Sequence, residues 1–182
     1  MVLKSVTIRP HLVPFLVKEL QGSSASYDNK TAFSIPICTF SSLGKLLHNQ
    51  TSNNQKAGKF IKYVFYLIID KNKIDSYSGT IYISIDKTKE LLMLCKNQIE
   101  EINSLLEDIF RISFGYYIQG VLDFGKVDLT KAIFKFMQKY DLENVVYSVE
   151  QLRRLHYRQI NTNQLLVRLQ KQSSNRVVNV AM

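Results

Sequence analysis

The chain reads as an α+β protein: a small, mostly antiparallel sheet packed on a long helix, with a C-terminal basic helical module that is helix-turn-helix-like. Three observations predict this. Two strongly β-prone stretches, Phe60–Asp70 and Thr80–Ile85, are separated by a polar link and read as a hairpin. A long helical pattern then runs from Asp86 to about Gly120, with Cys95, Ile99, Ile102, Leu106 and Ile109 at alternating four- and three-residue steps. Finally, the net charge of +9 is unevenly spread. Residues 126–182 hold 10 Lys and Arg against 4 Asp and Glu, a net of +6.

The first 125 residues form the expected α+β core. Val2 to Arg9 alternates as a short strand ended by Pro10. Leu12, Phe15, Leu16 and Leu20 have helical spacing up to Gly22, a natural stop, and Pro14 is tolerable only in that helix's first turn. Gly22 to Lys30 reads as a polar loop. Ala32 to Cys38 reads as a strand that Pro36 relegates to an edge or a bulge. Ser41 caps a short helix, Ser42 to Asn49, and Gln50 to Lys59 is a polar loop. The near-continuous apolarity of Phe60–Asp70 marks a central strand covered on both faces. In the long helix, Glu100, Glu101, Glu107 and Asp108 fall off the apolar stripe and read as a solvated face. Gly115 and the interval Gly120–Gly125 suggest a kink or break before the C-terminal module.

That module spans residues 126–163. Asp128 or Thr130 caps its first helix, on which Ile133, Phe136, Met137 and Tyr140 make an apolar stripe. Asp141 to Val146 is a break. Ser148 with Gln151 then forms a capping box, and Val149, Leu152, Leu155 and His156 share the inner side of a second helix. Residues 164–182 read as one short helical stretch, Gln164 to Gln170, and a flexible tail.

Enzyme chemistry finds no footing. The three histidines share no metal-ligand spacing with each other or with the cysteines. No phosphate-binding glycine loop, dinucleotide fingerprint or nucleophile elbow occurs. Adjacent carboxylates on a helix diverge by about 100° and do not converge as an acid/base pair. Neither a catalytic function nor a cofactor is expected. Cys38 and Cys95 read as two core thiols of a reduced intracellular protein, and no segment reaches transmembrane length, so no membrane partner is expected.

The positive signal is cationic. Lys131, Lys135 and Lys139 step along one side of the first helix at four-residue intervals, a rail for phosphates. On the second helix Gln151, Arg153, Arg154, Tyr157 and Arg158 supply the forks and rings that read base edges and grip phosphate. The same composition also suits an ordinary solvated helix. The break between the helices is longer than a strict helix-turn-helix allows.

Ala132 to Arg158 resembles the C-terminal pattern of small uncharacterised proteins of Bacteroidetes phages and mobile elements, over about a sixth of the chain. The matching positions are Ala132, Ile133, Phe136, Tyr140, Leu142, Leu152, Tyr157 and Arg158. The resemblance implies a phage or mobile-element origin, which fits the heavy use of Lys, Asn, Ile, Tyr and Phe, residues with AT-rich codons. The expected function is non-catalytic DNA binding in the cytoplasm of a bacterial host. The alternative is a virion ring, collar or portal-associated subunit whose basic end faces DNA or an acidic neighbour. The expected partners are nucleic acid, further copies of the chain, or phage assembly subunits.

Overall fold

The computed structural model describes residues 2–27, 30–38, 40–51, 63–68, 79–85, 96–144, 147–160 and 165–169. The fold is α+β, as the sequence predicts. Five strands, β1 (Val2–Ile8), β2 (Ser23–Tyr27), β3 (Lys30–Ile37), β4 (Tyr63–Ile68) and β5 (Gly79–Ile85), form one sheet in the order β1-β5-β4-β3-β2. Every pairing is antiparallel. The helices are α1 (Leu12–Glu19), α2 (Ser42–Thr51), α3 (Lys96–Phe124), α4 (Leu129–Lys139) and α5 (Val149–Ile160), with short 3-10 turns at Leu142–Asn144 and Leu165–Leu169.

Two compact units divide the chain. The first is Met1–Ser104 with Tyr140–Val146; the second is Leu105–Lys139 with Tyr147–Met182. The division falls inside α3, whereas the sequence reading put the end of the core at residue 125. The helical assignment of α3 runs unbroken through that point, so local pattern carries no mark of the place where the division falls.

In the first unit, β4 is the middle strand and pairs with β5, as the hairpin reading expects. Strand β2 corrects the polar loop expected there. Ser-rich Ser23–Tyr27 has little intrinsic strand preference, and its conformation comes from pairing with β3 at the sheet's edge. Pro36 also departs from expectation, because β3 is an inner strand. The register explains the tolerance: Pro36 lies opposite Val64 of β4, while β2 reaches only Ser34 on the other side. Pro36 therefore has no ladder partner on that flank to receive the N–H it lacks.

Helix α1 buries Leu12, Val13, Phe15 and Leu16, and Pro14 does fall in its first turn. Its stop is not Gly22 itself. Gln21 takes the left-handed conformation (φ 52°), and the Gly22 N–H bonds back to the Val17 carbonyl at 2.9 Å, a helix-ending turn with glycine one place late. Tyr140 packs its ring 5.1 Å from Phe15 and donates its hydroxyl to Glu19. Ser41 caps α2, accepting from the Gly44 N–H at 3.0 Å. Cys38 is a free, exposed thiol rather than a core one, because it stands just past the end of β3. Helix α2 runs on through Gln50 and Thr51, the first two residues of the expected polar loop; Cys95, residues 52–62 and 69–78 on either side of β4, and the tail lie outside the described residues.

Helix α3 differs most from its reading. Its described part begins at Lys96 and continues unbroken through Gly115 and Gly120, ending only at Phe124. Its buried apolar positions among the described residues are Ile102, Leu106, Phe110, Phe114 and Ile118, a strict four-residue series. At 100° per residue such a series drifts around the helix by about 40° per step, so the buried face rotates along its length. Ile109, expected inside, is 39 % exposed, while Glu107 and Asp108, expected outside, are buried. Around Leu106–Phe110 the helix is covered over most of its circumference, and Ile109 points through the remaining gap. The Arg111 guanidinium Nε–H donates to Glu107 at 2.6 Å and compensates that carboxylate.

Candidate nucleic-acid interface

The second unit is built from the latter part of α3 with α4, α5 and the turn Leu165–Leu169. Helix α4 starts where Asp128 accepts from the Lys131 N–H at 2.8 Å. That backbone hydrogen bond is the main reason the Asp128 carboxyl sits below its ordinary value. Ala132, Ile133, Phe136 and Met137 are buried. Phe136 is the hub: its ring centroid lies 5.8 Å from Phe110, 5.0 Å from Phe114 and 5.3 Å from Tyr117, all in edge-to-face geometry. This cluster fixes the rotation of α4 about its axis and turns Lys131, Lys135 and Lys139 to solvent.

Helix α5 opens on the expected capping box. The Ser148 N–H donates to the Gln151 side chain at 2.8 Å, and the Gln151 N–H returns to the Ser148 hydroxyl at 3.2 Å. Leu152, Leu155, His156 and Gln159 are buried. Gln159 donates its side-chain N–H to the Arg111 carbonyl at 2.7 Å, anchoring the helix to α3. His156 is buried on the inner face of α5, and that burial lowers its pKa and favours the neutral imidazole. The link from Tyr140 to Ser148 is longer than a helix-turn-helix turn and holds a left-handed Asp141 (φ 52°) and a 3-10 turn.

The eight predicted residues separate into four groups. Gln151 and Arg153 have structural work. Gln151 completes the cap, and Arg153 donates to the Thr130 hydroxyl at 2.7 Å and to Glu150 at 3.4 Å, joining α5 to α4. Lys135 and Lys139 belong to the flank of α4 that meets α3. Lys139 holds its ammonium 5.6 Å from the Tyr117 ring centre, and Lys135 lines a groove against α3. Lys131 pairs with Asp128 at 3.4 Å. Arg154, Tyr157 and Arg158 are exposed on α5, Arg154 with a loose 3.4 Å contact to Glu150. An exposed pair of that length is worth little and is readily exchanged for a phosphate.

The sequence reading missed the groove. It is a shallow, open depression of about 540 Å³ lined by Tyr116, Tyr117, Gly120, Phe124, Val127 and Lys135, among others. Tyr116, Gly120 and Phe124 follow one another at four-residue steps, away from buried Phe114 and Ile118. That spacing was present in the sequence, but Gly115 and Gly120 read as a break and hid it. Among the described residues no cluster of His, Cys, Asp or Glu could hold a metal ion, and no helix is long and apolar enough to cross a membrane. No protein-family model, no curated protein and no solved structure matches this chain.

Proposed function

We propose that this chain is a non-catalytic nucleic-acid-binding protein of phage or mobile-element origin, acting in a bacterial cytoplasm through its second unit. One observation carries the reading. Packing of Phe136 on α4 and of Leu152, Leu155 and Gln159 on α5 fixes both helices in rotation, and in that rotation Lys131, Lys135, Lys139, Arg154 and Arg158 all reach solvent. Five exposed cations on two helices of fixed rotation can meet phosphates, and Tyr157 is exposed on α5 with two of them.

The test is binding of duplex and single-stranded DNA over a salt series by the full chain and by Arg154→Ala, Arg158→Ala and Lys135→Ala. Loss of a phosphate-contacting lysine should weaken binding to all sequences and lower the salt slope by about one unit. Loss of a base-reading arginine should cost roughly 1–3 kcal/mol and relax preference at one position. A parent chain that binds no DNA at low salt ends this reading.

A second reading, a virion assembly subunit, draws on apolar residues exposed toward the end of the same unit: Ile160, Leu166 and Leu169. Residues of this kind suit a protein partner or a further copy of the chain. Light scattering on a sizing column separates the two: a discrete ring without DNA selection favours assembly.

A further inference from the structure

We infer that the groove between α3 and α4 takes single-stranded nucleic acid, stacking unpaired bases on Tyr116 and Phe124 while Lys135 and the neighbouring α4 lysines hold the phosphates. This rests on the reading of the second unit as a nucleic-acid binder and names the form of its ligand. Four features of the groove converge on it. Tyr116 is 51 % exposed and Phe124 94 % exposed, on a helix whose other phenylalanines, Phe110 and Phe114, are fully buried. The two rings are eight residues apart on one helix, about 12 Å along its axis. Between them lies Gly120, where an added side chain would meet nothing within 4 Å, so the space between the rings is open. Lys135 of α4 also lines the groove, and Lys139 already lies over an aromatic face, that of Tyr117.

Exposed rings beside cations are the combination that single strands select. Every base offers a flat face for stacking, whereas a duplex keeps those faces inside its own stack. An acidic peptide would satisfy the lysines but leave the two rings without a planar partner. Charge complementarity along α4 and ring geometry along α3 thus favour one ligand class.

The experiment uses the full chain, a 20-nucleotide oligothymidine and a 20-base-pair duplex, with binding followed by anisotropy at two salt concentrations. The protein has no tryptophan, so quenching of its tyrosine emission is a second readout. The expected result is at least tenfold tighter binding of the single strand. Tyr116→Ala/Phe124→Ala should lose at least tenfold for that strand and little for the duplex. Both rings are exposed, so the variant should keep its circular dichroism and melting temperature. Gly120→Leu, which fills the groove without removing a ring, should act in the same direction. Equal or tighter duplex binding, indifferent to the rings, overturns the inference while leaving nucleic-acid binding in place. Displacement of the oligonucleotide by polyglutamate at matched charge, with the same dependence on the rings, also overturns it. Binding of neither nucleic acid at low salt overturns the inference and the proposed function together.

Discussion

Arg153 donates its guanidinium N–H to the Thr130 hydroxyl at 2.7 Å, across the seam between α5 and α4. The contact divides an arginine cluster that is uniform in sequence. Arg153 is partly covered and serves the fold, while Arg154 and Arg158, one and five residues on, are exposed.

Replacement of Arg153 by alanine should therefore act on stability first. The side chain keeps 35 % of its surface exposed, so the lost bonds should cost only about 1 kcal/mol after solvent screening. Arg154→Ala should leave the urea midpoint within experimental error and weaken DNA binding more than Arg153→Ala does at the same salt. A reversed order of the two variants, in either measurement, would show the division to be misplaced.

Phe136 should be the most sensitive position of the second unit. It is fully buried and touches three other rings. Phe136→Ala should cost about 3–5 kcal/mol, and Phe136→Leu less, since most of the volume is retained. Chemical denaturation measures both. A loss under 1 kcal/mol for the alanine variant would mean that the aromatic cluster does not hold α4 against α3.

The difference between these two predictions follows what the sequence could disclose. Buried positions on α4 and α5 were legible, because each helix is amphipathic with a single inner face: Ile133, Phe136, Leu152 and Leu155 repeat at helical spacing. The capping box at Ser148 and Gln151 was legible for the same local reason. Helix α3 was legible only in part: Ile102 and Leu106 of its stripe are buried, but the buried face rotates along the helix and a fixed stripe assigns Ile109 and Glu107 to the wrong sides. Strand β2 was hidden because pairing with β3, not its own residues, makes it a strand. For the interface, the cations were visible, but their partners were not. Nothing in the spacing of Arg153 announces Thr130, 23 residues earlier.

Two glycines of α3 should respond to alanine with opposite signs. At Gly120 an added methyl meets open space, so Gly120→Ala should gain about 0.5–1 kcal/mol from helix preference alone. At Gly115 a Cβ would lie 2.6 Å from a Leu165 methyl and 3.0 Å from the Gln159 side-chain oxygen. The turn Leu165–Leu169 must then shift, at a cost of about 1–3 kcal/mol that exceeds the gain in helix preference. Thermal melts of the two variants check this; stabilisation by both would show that the turn does not pack on Gly115.

His156 should make the protein acid-sensitive in a defined window. Its pKa is lowered from the ordinary 6.5 by burial among the residues of the inner face of α5. The folded imidazole resists protonation, whereas the unfolded one accepts a proton at about pH 6.5. Between the folded value and 6.5 the unfolded chain therefore binds more protons, and stability falls as pH falls through that interval. Above 6.5 both states are neutral and the contribution is fully present. One imidazole gives a slope no steeper than about 1.4 kcal/mol per pH unit. The Asp128 cap acts lower: its carboxyl is held below 3.8, so its stabilisation is present above that pH and disappears only as the carboxylate protonates. Urea midpoints from pH 7.5 down to 5 should decline for the native chain and stay flatter for His156→Phe, whose ring is of similar size and cannot charge. Equal slopes for the two proteins over that range would mean that His156 does not carry the acid sensitivity.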